Sequence, residues 1–181
     1  MFKQYINMDN NELCALGYKY YQEQNYPKAI EFWLKAANRD CAIAQYNLGL
    51  MYLENDRGVN QNYLEASKWF KKAADNGDPD ALYNLGIMYD NGEGVSQDYN
   101  EAFDCFKQVA EQYDDADAEC ALGIMYYYGQ GVRKNKAKAV KYYELAASQG
   151  HTEARDRLDT MRRNKSPSLK FFASPNPKFL I

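Results

Sequence analysis

The chain has 181 residues, 46% hydrophobic and 26% charged, the proportions of a globular domain rather than a disordered or fibrous one. A net charge of -3 and a pI near 5.3 leave no basic footprint for phosphate backbones, so nucleic acid is not an expected partner. No run of about 18 apolar residues occurs and the start, MFKQYINMDNNEL, lacks a secretory apolar core; no membrane association and a cytoplasmic location are expected.

Asp9 and Asn10 stand where caps of a first helix belong, and that helix is predicted to run from about Asn11 to Gln22. After a short turn through Gln24, Asn25 and Tyr26, Pro27 opens a second helix with Ala29, Ile30, Phe32, Trp33 and Ala36 at core spacing. A second hairpin covers 42–75, with a turn at Arg57-Gly58-Val59 and with Trp69 and Phe70 in its second helix. Asn76-Gly77-Asp78-Pro79 then breaks the chain, Gly77 as a stop and Asp78 or Asp80 as the next cap.

The third hairpin, 79–115, repeats the pattern most fully. Ala81, Leu85, Met88 and Tyr89 recur at helical spacing, a turn follows at Gly92-Glu93-Gly94-Val95, and Tyr99, Ala102, Phe103, Phe106 and Val109 form a second stripe. The fourth covers 117–149 with a turn at Gly129 to Val132 and Gly150 as its stop, and 153–163 reads as a single last helix. Beyond it Ser166, Pro167, Ser168, Ser174, Pro175 and Pro177 rule out a helix, while Leu169, Phe171, Phe172, Phe179, Leu180 and Ile181 are strongly apolar.

One pair ties the hairpins together: Leu16-Gly17, Leu48-Gly49, Leu85-Gly86 and Leu122-Gly123, at steps of 32, 37 and 37 residues. Three residues after each Gly stands Tyr20, Tyr52, Tyr89 or Tyr126, and each second helix closes on a small pair, Ala36-Ala37, Ala73-Ala74, Val109-Ala110 or Ala146-Ala147. A glycine inside a helix costs about 1 kcal/mol against Ala, so its recurrence points to close helix contact. Over roughly residues 11–160 these motifs resemble the Sel1-like repeat family, with its Ala-x3-Leu-Gly-x2-Tyr, its Gly-x-Gly-Val turn and an aromatic near a closing Ala-Ala. The resemblance implies an all-α, right-handed α-solenoid of about four helix-turn-helix units, similar to tetratricopeptide repeats. Its expected repeats are 11–41, 42–78, 79–115 and 116–150, with a capping helix at 152–164 completing a domain over 1–164 and an extended tail at 165–181. The first unit departs in its short turn and the last in having Asp159 where the Gly belongs, as terminal capping repeats do.

Catalysis lacks its usual parts, and neither an enzyme nor a cofactor is expected. The turns join two helices and carry no phosphate-cradling pattern. His151, the single histidine, reads as an exposed loop residue without a Cys or carboxylate partner at metal-ligand spacing. Asp114, Asp115, Asp117 and Glu119 read as a solvated cap that complements a helix dipole rather than a metal site. Cys14 and Cys120 share the register of Tyr46 and Tyr83, which sets them roughly 30 Å apart. Cys105 replaces Trp69 in register, Cys41 sits in a linker, and all four read as reduced thiols serving as small apolar residues. Cysteine-rich relatives in the resembled family carry a Cys pair in each unit; this chain does not.

What remains is surface. By analogy with tetratricopeptide repeats the first helices line a concave face, which would expose Tyr18, Tyr21, Tyr46, Leu50, Tyr83, Ile87, Asp90, Tyr127 and Tyr128, an aromatic groove with acidic edges suited to a protein or peptide partner. The resemblance implies adaptor or scaffold roles, and some bacterial members act as immunity proteins that neutralise an effector toxin. Leaving Leu169, Phe171, Phe172, Phe179, Leu180 and Ile181 in water would forgo roughly 1.5–3 kcal/mol each, so the tail is expected to dock. It would do so in cis over the groove or the last helix, or in trans as a homodimer.

Overall fold

The computed structural model describes residues 8–54 and 59–165, and no strand occurs among them. Helices follow one another as α1 (Asn10–Gln22), α2 (Tyr26–Ala37), α3 (Ala42–Leu53), α4 (Tyr63–Asp75), α5 (Pro79–Asn91), α6 (Tyr99–Tyr113), α7 (Ala116–Tyr128), α8 (Lys136–Ser148) and α9 (Thr152–Lys165). Arg57 and Gly58 of the second turn, and the apolar residues from Leu169 to Ile181 expected to dock, lie outside the described residues.

Local chemistry sets most boundaries. Asp9 closes a capping box with Glu12 at the start of α1, and Asn25, Asn62, Asp98 and Asn135 each accept a backbone N–H in the first turn of the even-numbered helices. Each such cap contributes about 1 kcal/mol. The later odd-numbered helices start on Cys41, Asp78, Asp115 and His151, positions equivalent to Asp9 in α1. Asp78 accepts from Ala81 N at 2.8 Å, Asp115 from Ala118 N at 2.8 Å and His151 Nδ1 from Ala154 N at 3.2 Å. Cys41 makes no such bond.

Packing explains the helical glycines. A Cβ on Gly86 would lie 2.8 Å from the Phe106 ring, one on Gly49 2.6 Å from Phe70 and one on Gly123 2.5 Å from Tyr143; Gly17 faces Trp33 in the same way. The ring on each even helix is thus seated directly on the backbone of its odd partner, an approach that any side chain on the glycine would block.

Successive hairpins join by two devices. Core clusters run across the hairpin boundaries: Leu13, Trp33 and Leu48 belong to one, and Phe70, Ala81 and Met88 to the next. Gly94 and Gly131, both at positive φ, press the turns of the third and fourth hairpins onto the first residue of the preceding even helix, Tyr63 and Tyr99. Buried polar groups pair within hairpins and once across a boundary, at Gln45 and Ala37. Gln45 donates to Ala37 O at 3.1 Å and accepts from Asn76, while Glu119, equivalent to Gln45, accepts from Gln149 at 2.9 Å. Ala154 and Leu158 on α9 cover the last exposed core beside Cys120 and Tyr143. The result is an all-α helical repeat in which α3 touches α5 and α7 touches α9, so the odd-numbered row forms the inner side of the stack.

Candidate functional site

The inner row carries every position expected to bind a partner, and the structure sorts them by exposure. Tyr18 and Tyr128 are open to solvent, at 56% and 57%. Tyr21, Tyr46, Leu50, Tyr83, Ile87, Asp90 and Tyr127 are half-buried because they also seal the seams between helices. Tyr46 leans on the Phe70 ring at 5.8 Å, Tyr83 on Phe106 at 5.4 Å and Tyr21 on Trp33 at 5.8 Å. Leu50 packs against the cluster of Ala81 and Leu85, and Ile87 against that of Ala118 and Leu122. The tyrosines thus bind the two helices of a hairpin, and Leu50 and Ile87 hold their hairpin to the next.

Charge is distributed by row. No Lys or Arg occurs in α3, α5 or α7, whereas Asp80, Asp90, Asp117 and Glu119 do; α4 and α8 each carry three lysines. The acidic groups act on the aromatic tips: burial, then Asp80 and Asp78, push the Tyr46 phenol up, and burial, then Asp117 and Asp115, push Tyr83 up to about 12. Both therefore stay neutral hydrogen-bond donors. At the fourth hairpin the balance changes, since Lys134 and Lys136 approach the Tyr127 ring at 5.9 and 5.7 Å. A cavity of about 380 Å³ opens beside it, walled by Tyr127, Tyr128, Arg157 and Met161 among others, with Arg157 held 2.6 Å from Glu153. Sequence reasoning gave α9 only a capping role and missed its wall residues, for which the repeat pattern carries no signal.

Three readings of single residues need correction, the first being Glu119, which is not part of a solvated cap: it is buried and accepts from Gln149. His151 is not an exposed loop residue without a carboxylate: its side chain is 16% exposed and Nε2 stands 3.0 Å from Asp117 Oδ1. Because Nδ1 accepts from Ala154 N, the proton of the neutral ring sits on Nε2 and points at Asp117, so the histidine locks α9 to the start of α7. Cys41 is not an isolated linker thiol, since its Sγ lies 3.4 Å from Cys14 Sγ. Register could have pointed to this contact, for the residue two before the Leu-Gly pair lies within electrostatic reach of the start of the next odd helix, Tyr46 of Asp80 and Asp78 and Tyr83 of Asp117 and Asp115. Among the described residues no three His, Cys, Asp or Glu side chains converge to hold a metal ion.

The model of the Sel1 repeat matches the chain four times, at residues 13–41, 42–78, 79–114 and 116–151. The chain belongs to the Sel1 repeat family. Among solved structures, this Sel1 repeat protein is similar to a protective antigen of uropathogenic Escherichia coli with an SLR fold, at 33% identity and a TM-score of 0.81 over 86% of this chain and 34% of that one. A Sel1 repeat protein from Oxalobacter formigenes gives 32% identity and 0.81, covering 86% of this chain and 63% of its own. Helicobacter pylori cysteine rich protein B follows at 27% and 0.55, covering 73% and 93%. The chain therefore spans about a third of the first of these and under two thirds of the second. No curated protein matches it. Sel1 repeats generally act as protein-interaction scaffolds rather than enzymes. No described helix of this member is long and apolar enough to cross a membrane.

Proposed function

We propose that the chain is a non-enzymatic adaptor or scaffold that holds a protein or peptide partner along the inner face of its odd-numbered helices. The observation that carries the reading is the composition of that face: tyrosine and aliphatic edges beside Asp80, Asp90 and Asp117, with no basic side chain on α3, α5 or α7. Tyrosine buries a large area while keeping a donor at its tip, and carboxylates at the rim select partners by charge. The partner is thus a segment in which Lys or Arg alternates with apolar residues, and the cavity walled by Tyr128 and Met161 receives one of its side chains.

Affinity capture with the full chain followed by mass spectrometry identifies the partner, and a triple variant then tests the face. Tyr18→Ala, Tyr128→Ala and Asp80→Lys alter exposed positions, so helical circular dichroism should persist. Partner affinity should fall by about 2 kcal/mol or more and should weaken with added salt in the unaltered chain. Unchanged affinity in the folded triple variant moves the site off the inner face.

A further inference from the structure

The geometry points to a redox site at Cys14 and Cys41: a dithiol that a low-molecular-weight disulfide converts to an intrachain disulfide, tying α1 to the start of α3. The two sulfurs come from elements 27 positions apart and stand 3.4 Å from each other. A disulfide bond is about 2.05 Å, so closure needs a movement of little more than an ångström. The contact agrees with the repeat register, in which the tyrosines equivalent to Cys14 feel the charge at the start of the next odd helix, Tyr46 that of Asp80 and the cap Asp78 and Tyr83 that of Asp117 and the cap Asp115. Here both positions are cysteine. The substitution at 41 gives up the side-chain cap that Asp78, Asp115 and His151 supply to their helices, so it is not explained by helix stability. Cys105 and Cys120 provide an internal contrast, buried at 7% and 3% exposure in different helices.

The chemistry balances with the oxidant named. One cysteine thiolate attacks a sulfur of RSSR, the S–S bond of the oxidant breaks, and RS⁻ leaves to take up a proton as RSH. The second cysteine, deprotonated in turn, attacks the protein sulfur of this mixed disulfide and expels a second RS⁻. The protein loses two electrons and two protons, and the oxidant becomes two RSH. Proximity makes the second step intramolecular. The Cys14 thiol is pushed up to about 12, by burial first and then by the hydrogen bond and charge of Cys41. Its thiolate is therefore not stabilised in the reduced form, and a closed bond resists reopening. The bond would span α2 and fix the spacing of the first two inner helices while leaving the later hairpins unchanged.

The test treats the full chain with glutathione disulfide in large excess over glutathione until the mass is constant. The expected result is a mass loss of two hydrogens, two of the four cysteines protected from alkylation in denaturant, and a peptide joining Cys14 to Cys41. The oxidised protein should melt several degrees higher, and dithiothreitol should reverse the gain. Four alkylatable cysteines at the end of the incubation, or glutathione left on a cysteine instead of a cross-link, would overturn the assignment. Cys41→Asp guards against misassigned pairing, because it supplies the cap found at the equivalent positions and should fold. It should melt at least as high as the reduced wild type and show no oxidant-induced loss of hydrogens. Such a loss in this variant would equally overturn the proposal.

Discussion

A glycine in mid-helix normally weakens the helix, yet four are kept in the odd-numbered helices because each is the floor of a ring. Gly86→Leu should overpack the Phe106 contact and cost about 1–3 kcal/mol or more in chemical denaturation, against little change for exposed Ser96→Ala. A Gly86→Leu protein as stable as wild type would show that the close approach is dispensable. The first ring is the exception in kind, since Trp33 Nε1 is buried over Gly17 without a hydrogen-bond partner among the described residues. An unpaired buried donor costs roughly 1–3 kcal/mol, and the second and third hairpins use Phe70 and Phe106 at this place. Trp33→Phe should thus stay within about 1 kcal/mol of wild type, whereas Trp33→Ala should lose about 3–5 kcal/mol. Glu119 sets a pH dependence. Burial, then Asp114 and Asp115, hold its pKa above the ordinary value against a lowering bond from Gln149, so the fold keeps the proton to higher pH than the unfolded chain. That proton-linked stability is complete below the unfolded pKa and is lost as pH rises through the folded one. Glu119→Gln, which still accepts from Gln149, should melt above wild type near pH 7, and the gap should close toward about pH 4.

At the scale of elements, α9 stands apart because no helix follows it to complete a hairpin among the described residues; it is held against α7 and α8 by Ala154, Leu158 and the His151–Asp117 contact. Leu158→Ala should cost about 2–5 kcal/mol, and in a repeat stack the loss should stay near its origin. Hydrogen exchange should accelerate in α7 to α9 and hardly at all in α1 and α2; uniform acceleration would mean that the stack melts as one unit. The helices, their glycines and most caps were legible in the sequence because period and spacing are local properties. The third hairpin's left-handed stop is Asp114 where Gly77 and Gly150 serve elsewhere, a substitution that local rules tolerate. What the sequence concealed was contact between residues far apart along the chain. His151 looked solitary because Asp117 reaches it across two helices, and Cys41 looked like a linker thiol because its neighbour lies two helices upstream. The candidate face was legible as a list of positions, but not the division of labour within it, since periodicity does not say how far Tyr46 or Leu50 is drawn into a seam.

At the scale of the whole stack, stability is the sum of hairpins and the joints between them, with no central core among the described residues to which every element contributes. The rows differ in composition: α3, α5 and α7 carry tyrosine and carboxylate without a basic side chain, and the even-numbered helices carry much of the lysine. The joints made by Gly94 on Tyr63 and Gly131 on Tyr99 are two copies of one fitting. A fitting that repeats is interchangeable: a duplicate of residues 79–115 spliced after residue 115 would bring a glycine for the helix behind it and a tyrosine for the turn ahead. The lengthened protein should gain helical signal in proportion, melt no lower than its parent and extend the inner face by roughly 8–10 Å per added helix layer. Growth of such a chain by tandem duplication then requires no new interface, only a reading frame that keeps the spacing.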